Sequence, residues 1–233
     1  MTRVKPQKIE VVMRTLYTGI VLLLLCFACS VVSPAQDVTD KTVASIDGDV
    51  KTELITYSDL VWQLVLQPGT PLVSPSSQKL NEALHLVIDQ RLILQEADRL
   101  PGMEATDAEI NTELKSLVAQ FPSQTEFQNR VSRVGLTADQ LREIVRRRVV
   151  IEKYLDFRFR SFTVVTPAEV TDYYNRVWVP RFKRQKPGQI VPTLEQARSE
   201  IESALTESKV ESQIDQFLES ARERAEITVL YPV

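Results

Sequence analysis

The spacing of apolar residues changes three times along this chain, and each change predicts a different kind of element. From Leu16 to Ala35 the sequence is almost continuously apolar, densest at Ile20 to Ala28. At Val43-Ala-Ser-Ile-Asp-Gly-Asp-Val the pattern shortens to a strand followed by a tight turn at Asp47-Gly48, and Leu54-Ile55 reads as a second short strand. Beyond that point apolar residues recur at helical spacing, and helix starts are written as capping sequences. Thr56-Tyr-Ser-Asp59 opens a helix through Leu60, Val61, Leu64 and Val65 to about Gln67, and the Pro68–Pro75 segment closes it. Leu80, Leu84, Val87, Ile88 and Leu92 form the stripe of the next helix.

Four more starts follow in order. Thr106-Asp-Ala-Glu109 precedes Ile110, Leu114, Leu117, Val118 and Phe121, and Ser123-Gln-Thr-Glu126 precedes Phe127 and Val131. Gly135 ends that helix. Thr137-Ala-Asp-Gln140 begins a long one whose predicted buried face is Leu141, Ile144, Val145, Val149, Ile151, Leu155, Phe159 and Phe162. Thr166-Pro167-Ala-Glu169 combines an N-cap, a proline at the first helical position and an acid at the third. Pro180, Pro187 and Pro192 with Gly188 then predict a linker over 180–192, because proline removes a donor and clashes with the preceding turn. Thr193-Leu-Glu-Gln196 caps a last helix to about Glu223, roughly 45 Å long at about 1.5 Å per residue. Glu226–Tyr231 reads as a strand. The predicted fold is mainly α, a multi-helix module whose small sheet joins the N-terminal strands to the C-terminal one.

The first apolar stretch has a different meaning. Arg3, Lys5, Lys8 and Arg14 face a single acid, Glu10, before it, and Ser33-Pro34-Ala35 ends it. A basic region, an apolar region and small residues make a secretory signal over residues 1–35, with cleavage expected between Ala35 and Gln36. An uncut membrane anchor is the alternative, since the stretch is long enough to span a bilayer. A lipoprotein reading at Cys29 lacks the aliphatic residue three positions earlier, where Cys26 stands. Either way, the rest of the chain is destined for the far side of the membrane.

Composition then narrows the chemistry. Both cysteines, Cys26 and Cys29, lie in the signal, and His85 is the only histidine. A cleaved product has no thiol and no Cys/His metal set, so no metal or cofactor is expected. His85 lies beside an apolar stripe, where a packed or surface role is expected. There is no Gly-x-Ser-x-Gly turn and no glycine-rich phosphate loop. The formal charge of −3 becomes more negative once the basic leader is removed, which argues against nucleic acid. The cluster Arg142, Arg146, Arg147, Arg148, Lys153, Arg158 and Arg160 is interleaved with Asp139, Glu143, Glu152 and Asp156. It reads as a salt-bridged, solvated helix face, with a contact to an acidic client segment or anionic lipid as the alternative.

The order of these elements resembles the N-terminal module of the SurA-type periplasmic chaperones, whose relatives include PrsA-like foldases. The residues that carry the resemblance are Val43–Asp49 with Ile55–Leu60, Leu86–Ala97, Ala105–Ile110, Gly135–Arg142, Val165–Val170 and Glu195–Val229. A departure lies in the lengthened turn at Val50–Leu54. A larger one lies at 180–192, where full-length relatives carry a parvulin-type isomerase domain. On this reading residues 36–179 are the first part of the module, 180–192 a linker in place of the isomerase, and 193–233 the closing helix and strand. The resemblance implies an ATP-independent periplasmic holdase, not an enzyme, whose partners are unfolded polypeptides and above all outer-membrane protein precursors. A membrane-tethered, non-catalytic interaction subunit and a prolyl isomerase are the competing functions, and monomer or homodimer is left open. Aromatics on or beside mobile segments are the candidate peptide contacts: Trp62, Phe121, Phe127, Trp178 and Phe182.

Overall fold

The computed structural model describes residues 40–47, 51–71 and 75–231. The segment expected to direct export, with the expected cleavage site at Ala35 and Gln36, and the glycine of the expected Asp47-Gly48 turn lie outside the described residues. Strands β1 (Thr42–Asp47) and β2 (Thr52–Thr56) pair antiparallel, and β3 (Glu226–Val229) adds to the other edge of β1, giving the order β2-β1-β3. The expected closure of the C-terminal strand onto the N-terminal pair is therefore observed. A register shift between Thr42 and Ala44 lets Val43 and Ala44 both be buried, as a bulge does when it turns an extra side chain inward.

The helices are α1 (Tyr57–Val65), α2 (Ser77–Ala97), α3 (Asp107–Ala119), α4 (Gln124–Arg133), α5 (Ala138–Arg158), α6 (Pro167–Tyr173), α7 (Val179–Gln185) and α8 (Leu194–Arg224). Thr56, Thr106, Thr137, Thr166 and Thr193 all form reciprocal capping boxes, with Asp59, Glu109, Gln140, Glu169 and Gln196 respectively. Each box satisfies two backbone donors that a helix start leaves open. Ser123 caps α4 as expected, and Gly135 ends that segment at φ 66°, in the left-handed region that glycine enters without steric cost. Ser76 caps α2 as well, but Lys79 at the third position cannot reciprocate, so no box marks that start in the sequence.

Four apolar clusters hold the described residues together. The first packs Val43, Ile46 and Ile55 of the sheet against Leu60 and Leu64 of α1, Leu84, Val87 and Ile88 of α2, and Ala221 of α8. Asp89 on α2 accepts two hydrogen bonds from Arg222 on α8, at 2.8 and 2.6 Å, which fixes the last helix beside the sheet. The second cluster joins Val65, Ile110, Leu117, Phe121, Phe127 and Val145 across α1, α3, α4 and α5. The third sets Ile93, Tyr154 and Phe159 against Val210 and Leu218 of α8. The fourth, Val170, Trp178, Ala197 and Ile201, belongs to a helical hairpin made by α6, α7 and the first part of α8.

Two local expectations are corrected. Phe162, predicted on the buried face of α5, is 71 % exposed. The helix ends at Arg158, and Phe159 leaves helical geometry at φ −120°, ψ −57°. Its ring takes the core position 5.6 Å from Phe217, and a single 3-10 turn over Arg160–Phe162 turns the next ring outward.

The second correction concerns the linker, whose first half is helical. Residues 174–178 form a π-helical turn, with the Val179 N–H donating to the Tyr174 carbonyl, and α7 continues to Gln185. One extra residue in that turn makes room for a proline that can neither donate nor tolerate the carbonyl behind it, so Pro180 is absorbed into the helix. The chain breaks only at Lys186–Pro192, where Gly188 takes φ 80°.

Candidate binding surface

The five aromatic candidates do not form one site. Phe121 and Phe127 meet edge to face at 5.1 Å inside the second cluster and are buried. Arg130 lies over the Phe121 ring and donates to the carbonyls of Val65, Gln67 and Thr70 at 3.1, 3.2 and 2.9 Å. It thereby caps the C-terminus of α1, where a cation also meets the negative end of the helix dipole. Trp62 sits half-buried on α1 at the edge of the same cluster, its indole N–H buried without a hydrogen-bond partner among the described residues.

Trp178 and Phe182 lie elsewhere, in a ladder on the hairpin. Tyr174, Trp178 and Phe182 stack with ring centroids 5.7 and 5.1 Å apart and planes within 18°. The Tyr174 hydroxyl donates to the Pro192 carbonyl at 2.7 Å, which clamps the start of α8 to α6 and α7. Trp178 is buried, while Phe182 keeps one edge in solvent under the Lys186 ammonium, 5.4 Å from the ring centre.

Surfaces that residue patterning passed over are more open. Phe157, Phe162 and Val164 are exposed at 48 %, 71 % and 71 %, and the two rings touch edge to face at 6.3 Å. They form an apolar patch where α5 turns toward α6. Nearby, Lys209 donates to the Val164 carbonyl at 2.8 Å and pairs with Glu169 at 2.7 Å, so the chain under the patch is held to α8. Arg160 binds both Asp156 and Glu207 across the same junction.

A groove of about 390 Å³ lies between the segment after α2 and the face of α5, with Ala97, Leu100, Met103, Ala105 and Val150 as its apolar wall and Arg146 at its lip. Leu100 and Met103 of this segment are half-buried and also pack against the third cluster.

The electrostatics of α5 match the salt-bridged reading of its basic cluster. Arg142 pairs with Asp107 at 2.6 Å, Arg146 and Arg147 with Glu143 at 2.8 and 3.1 Å, and Lys153 with Glu109 at 3.1 Å. The Thr106 backbone N–H and hydroxyl, with the Lys153 ammonium, hold the Glu109 carboxyl down at about 2. Lys209, then the Thr166 backbone and hydroxyl, bring Glu169 to about 2 in the same way. Burial between α2 and α5 pushes the Arg148 guanidinium below its usual range. No group of three or more His, Cys, Asp or Glu could hold a metal ion among the described residues, and His85 lies exposed on α2. Among the described residues the arrangement offers apolar contact surfaces beside ion-paired helix faces. None of the described helices is long and apolar enough to cross a membrane.

No family model matches the chain. Curated proteins do. It is 27 % identical over 202 residues to a protein named Chaperone SurA from Hahella chejuensis, across 83 % of this chain and 46 % of that protein. A Chaperone SurA from Pseudomonas aeruginosa is 30 % identical over 154 residues, covering 64 % and 36 % of the two chains. One from Cupriavidus metallidurans is 26 % identical over 143 residues, covering 60 % and 29 %. The chain thus spans less than half the length of each of these relatives. These matches support a SurA-like relationship for this chain.

Proposed function

We propose that this protein is an ATP-independent chaperone that holds unfolded exported polypeptides, outer-membrane protein precursors above all, in the periplasm. The observation that carries the reading is its similarity to proteins named Chaperone SurA across up to 83 % of its length. The physical features support it. A holdase has to bind many sequences weakly, and scattered apolar patches beside charged side chains do this better than one deep pocket. Each patch gains roughly 25 cal/mol per Å² of apolar surface removed from water, and none demands a particular client geometry.

Client contacts on this reading fall on the half-exposed Trp62 and Phe182, on the Phe157–Phe162–Val164 patch and on the groove beside Met103. Phe121, Phe127 and Trp178 build the walls behind them and meet a client only where those walls open. On this reading residues 40–185 and 193–231 form one module, with Lys186–Pro192 as the short connection where full-length relatives carry an isomerase domain. The sequence around that connection offers no acid–base pair, so the protein is proposed not to be an enzyme.

The deciding experiment dilutes a urea-unfolded outer-membrane protein into buffer with and without the purified protein and follows light scattering. Suppression near a stoichiometric ratio without ATP is expected, and scattering identical to the control would sink the proposal. A prolyl-peptide isomerisation assay is expected to match buffer alone. Cleavage before Gln36 is expected to yield a soluble form. Full-length protein in the membrane fraction would instead make this a tethered subunit.

A further inference from the structure

The tip of the helical hairpin carries a charge pattern found nowhere else in the described residues. Between Asp172 and Glu195 there is no acid, while Arg176, Arg181, Lys183, Arg184 and Lys186 all fall in that interval, in a chain whose net charge is −3. Arg176 pairs with Asp172 at 2.8 Å. Arg181, Lys183 and Arg184 are exposed and make no ion pair or hydrogen bond among the described residues, and the Lys186 side chain meets only the Phe182 ring.

Just beyond them Gly188 turns the chain, and Ile190 stands 94 % exposed. A β-branched apolar side chain wholly in water, next to cations that no acid neutralises, needs a partner both negative and apolar. We infer that this tip docks on an anionic lipid bilayer, with the four cations at the headgroups and Ile190 entering the acyl boundary.

A bilayer suits the tip better than an acidic polypeptide. Residues 183–190 are all exposed, and a fluid plane of headgroups satisfies cations that have no fixed mutual geometry while its acyl boundary takes Ile190. The cavity of about 240 Å³ beside Trp178 and Phe182 is bordered by Arg181 and Lys186 with one acid, Glu200, and Lys183 and Arg184 are not part of its lining. The hairpin is also stiff enough to present a tip, since the Tyr174–Trp178–Phe182 ladder and the Tyr174 bond to Pro192 lock it. This inference does not depend on the chaperone reading: a protein that fails to suppress aggregation can still bind lipid, and the reverse also holds.

The test is co-sedimentation of the purified protein with phosphatidylcholine vesicles, with and without about one-third phosphatidylglycerol, at low salt and at about 0.5 M salt. The substituted proteins carry the same leader, with Arg3, Lys5, Lys8 and Arg14, so comparing each with the unsubstituted protein on the same vesicles cancels any anchoring by an uncut leader. Partition onto anionic vesicles that falls steeply with salt is expected. Each Lys or Arg contributes about fivefold, so R181Q/K183Q/R184Q/K186Q together should weaken partition at least about a hundredfold. R181K/R184K should retain it, and Ile190→Ser should cost roughly tenfold at unchanged charge. Unchanged circular dichroism is expected for all three variants, because the replaced side chains are exposed. Equal partition onto both vesicle types, or a preference that survives the fourfold substitution, would overturn the inference. So would tip-dependent capture of a soluble oligoglutamate without vesicle binding.

Discussion

The face of α5 and the tip of the hairpin are both rich in arginine and lysine, yet they use that charge in opposite ways. On α5 and the turn after it, five of the seven cations pair with acids on the same helix, α3 and α8: Arg142, Arg146, Arg147, Lys153 and Arg160 with Asp107, Glu143, Glu109, Asp156 and Glu207. That face is neutral at short range and serves to set α5 against its neighbours. On α7 the cations have no such pairs among the described residues: no acid occurs between Asp172 and Glu195, and Glu200 of α8 borders the same cavity as Arg181 and Lys186 without an ion pair to either. A count of basic residues alone would have ranked the α5 cluster first. Pairing, which needs the fold, reverses the ranking.

The two regions also differ in what stabilises them. The body draws on three apolar clusters that join the sheet, α1 to α5 and the second part of α8, whereas the hairpin rests on one small cluster around Trp178 and Ile201. Trp178→Ala should therefore have the largest local effect, about 3–5 kcal/mol for removing a buried tryptophan. Hydrogen exchange should show lost protection over 167–205 with the sheet still protected. Loss of protection throughout would show that hairpin and body unfold as one unit. Leu60→Ala, in the body, should cost about 2–5 kcal/mol and lower the urea midpoint of the whole described fold. If the sheet signal alone shifted, the body would have to be divided further.

Smaller effects test the polar contacts. Arg130→Met keeps the stem over Phe121 but removes the Arg130 donors from the Val65, Gln67 and Thr70 carbonyls, of which Gln67 still accepts from the Thr70 N–H; the expected loss is about 1–2 kcal/mol, read as a shifted midpoint. The smallest effect concerns Glu109, whose folded value of about 2 lies below the ordinary 4.5. A depressed carboxylate stabilises the fold fully above about 4.5, and its contribution disappears as pH falls from there to about 2. Glu109→Gln should keep the capping box, as Gln140 and Gln196 do, and flatten the acid limb of the stability curve. An unaltered acid limb would mean that Lys153 and Thr106 do not favour the ionised form in solution. No change near neutral pH is expected beyond the loss of an exposed pair.

Local order was legible because it is written in local chemistry. Five threonines each followed three residues later by Asp, Glu or Gln marked five helix starts, and all five boxes form. The strands flanking the helical run could be paired on economy alone, since two short strands and a last one have few other ways to cover their edges. Ser76 was missed because its box lacks an acid, and Phe162 was misplaced because periodicity cannot see where a helix stops. The linker was half misread because proline's cost depends on whether the turn before it can widen.

The candidate surfaces were legible in kind and not in place. The aromatic residues could be named as candidate contacts from the sequence, but their exposure depends on what comes to rest against them. Phe121 and Phe127 face each other only because α3 and α4 fold back onto α1 and α5, and the groove beside Met103 exists only between two segments distant in sequence.

By itself the sequence determined the helix starts, the export leader's expected role, the absence of thiols downstream of Cys29 and the acid-free basic interval at 173–194, since these depend on neighbours a few residues away. The tertiary structure decided which aromatics are walls and which are surface, which basic cluster is neutralised, and that Pro180 lies within a helix. Burial and charge pairing are relations between segments tens of residues apart, and only the folded chain brings those segments together.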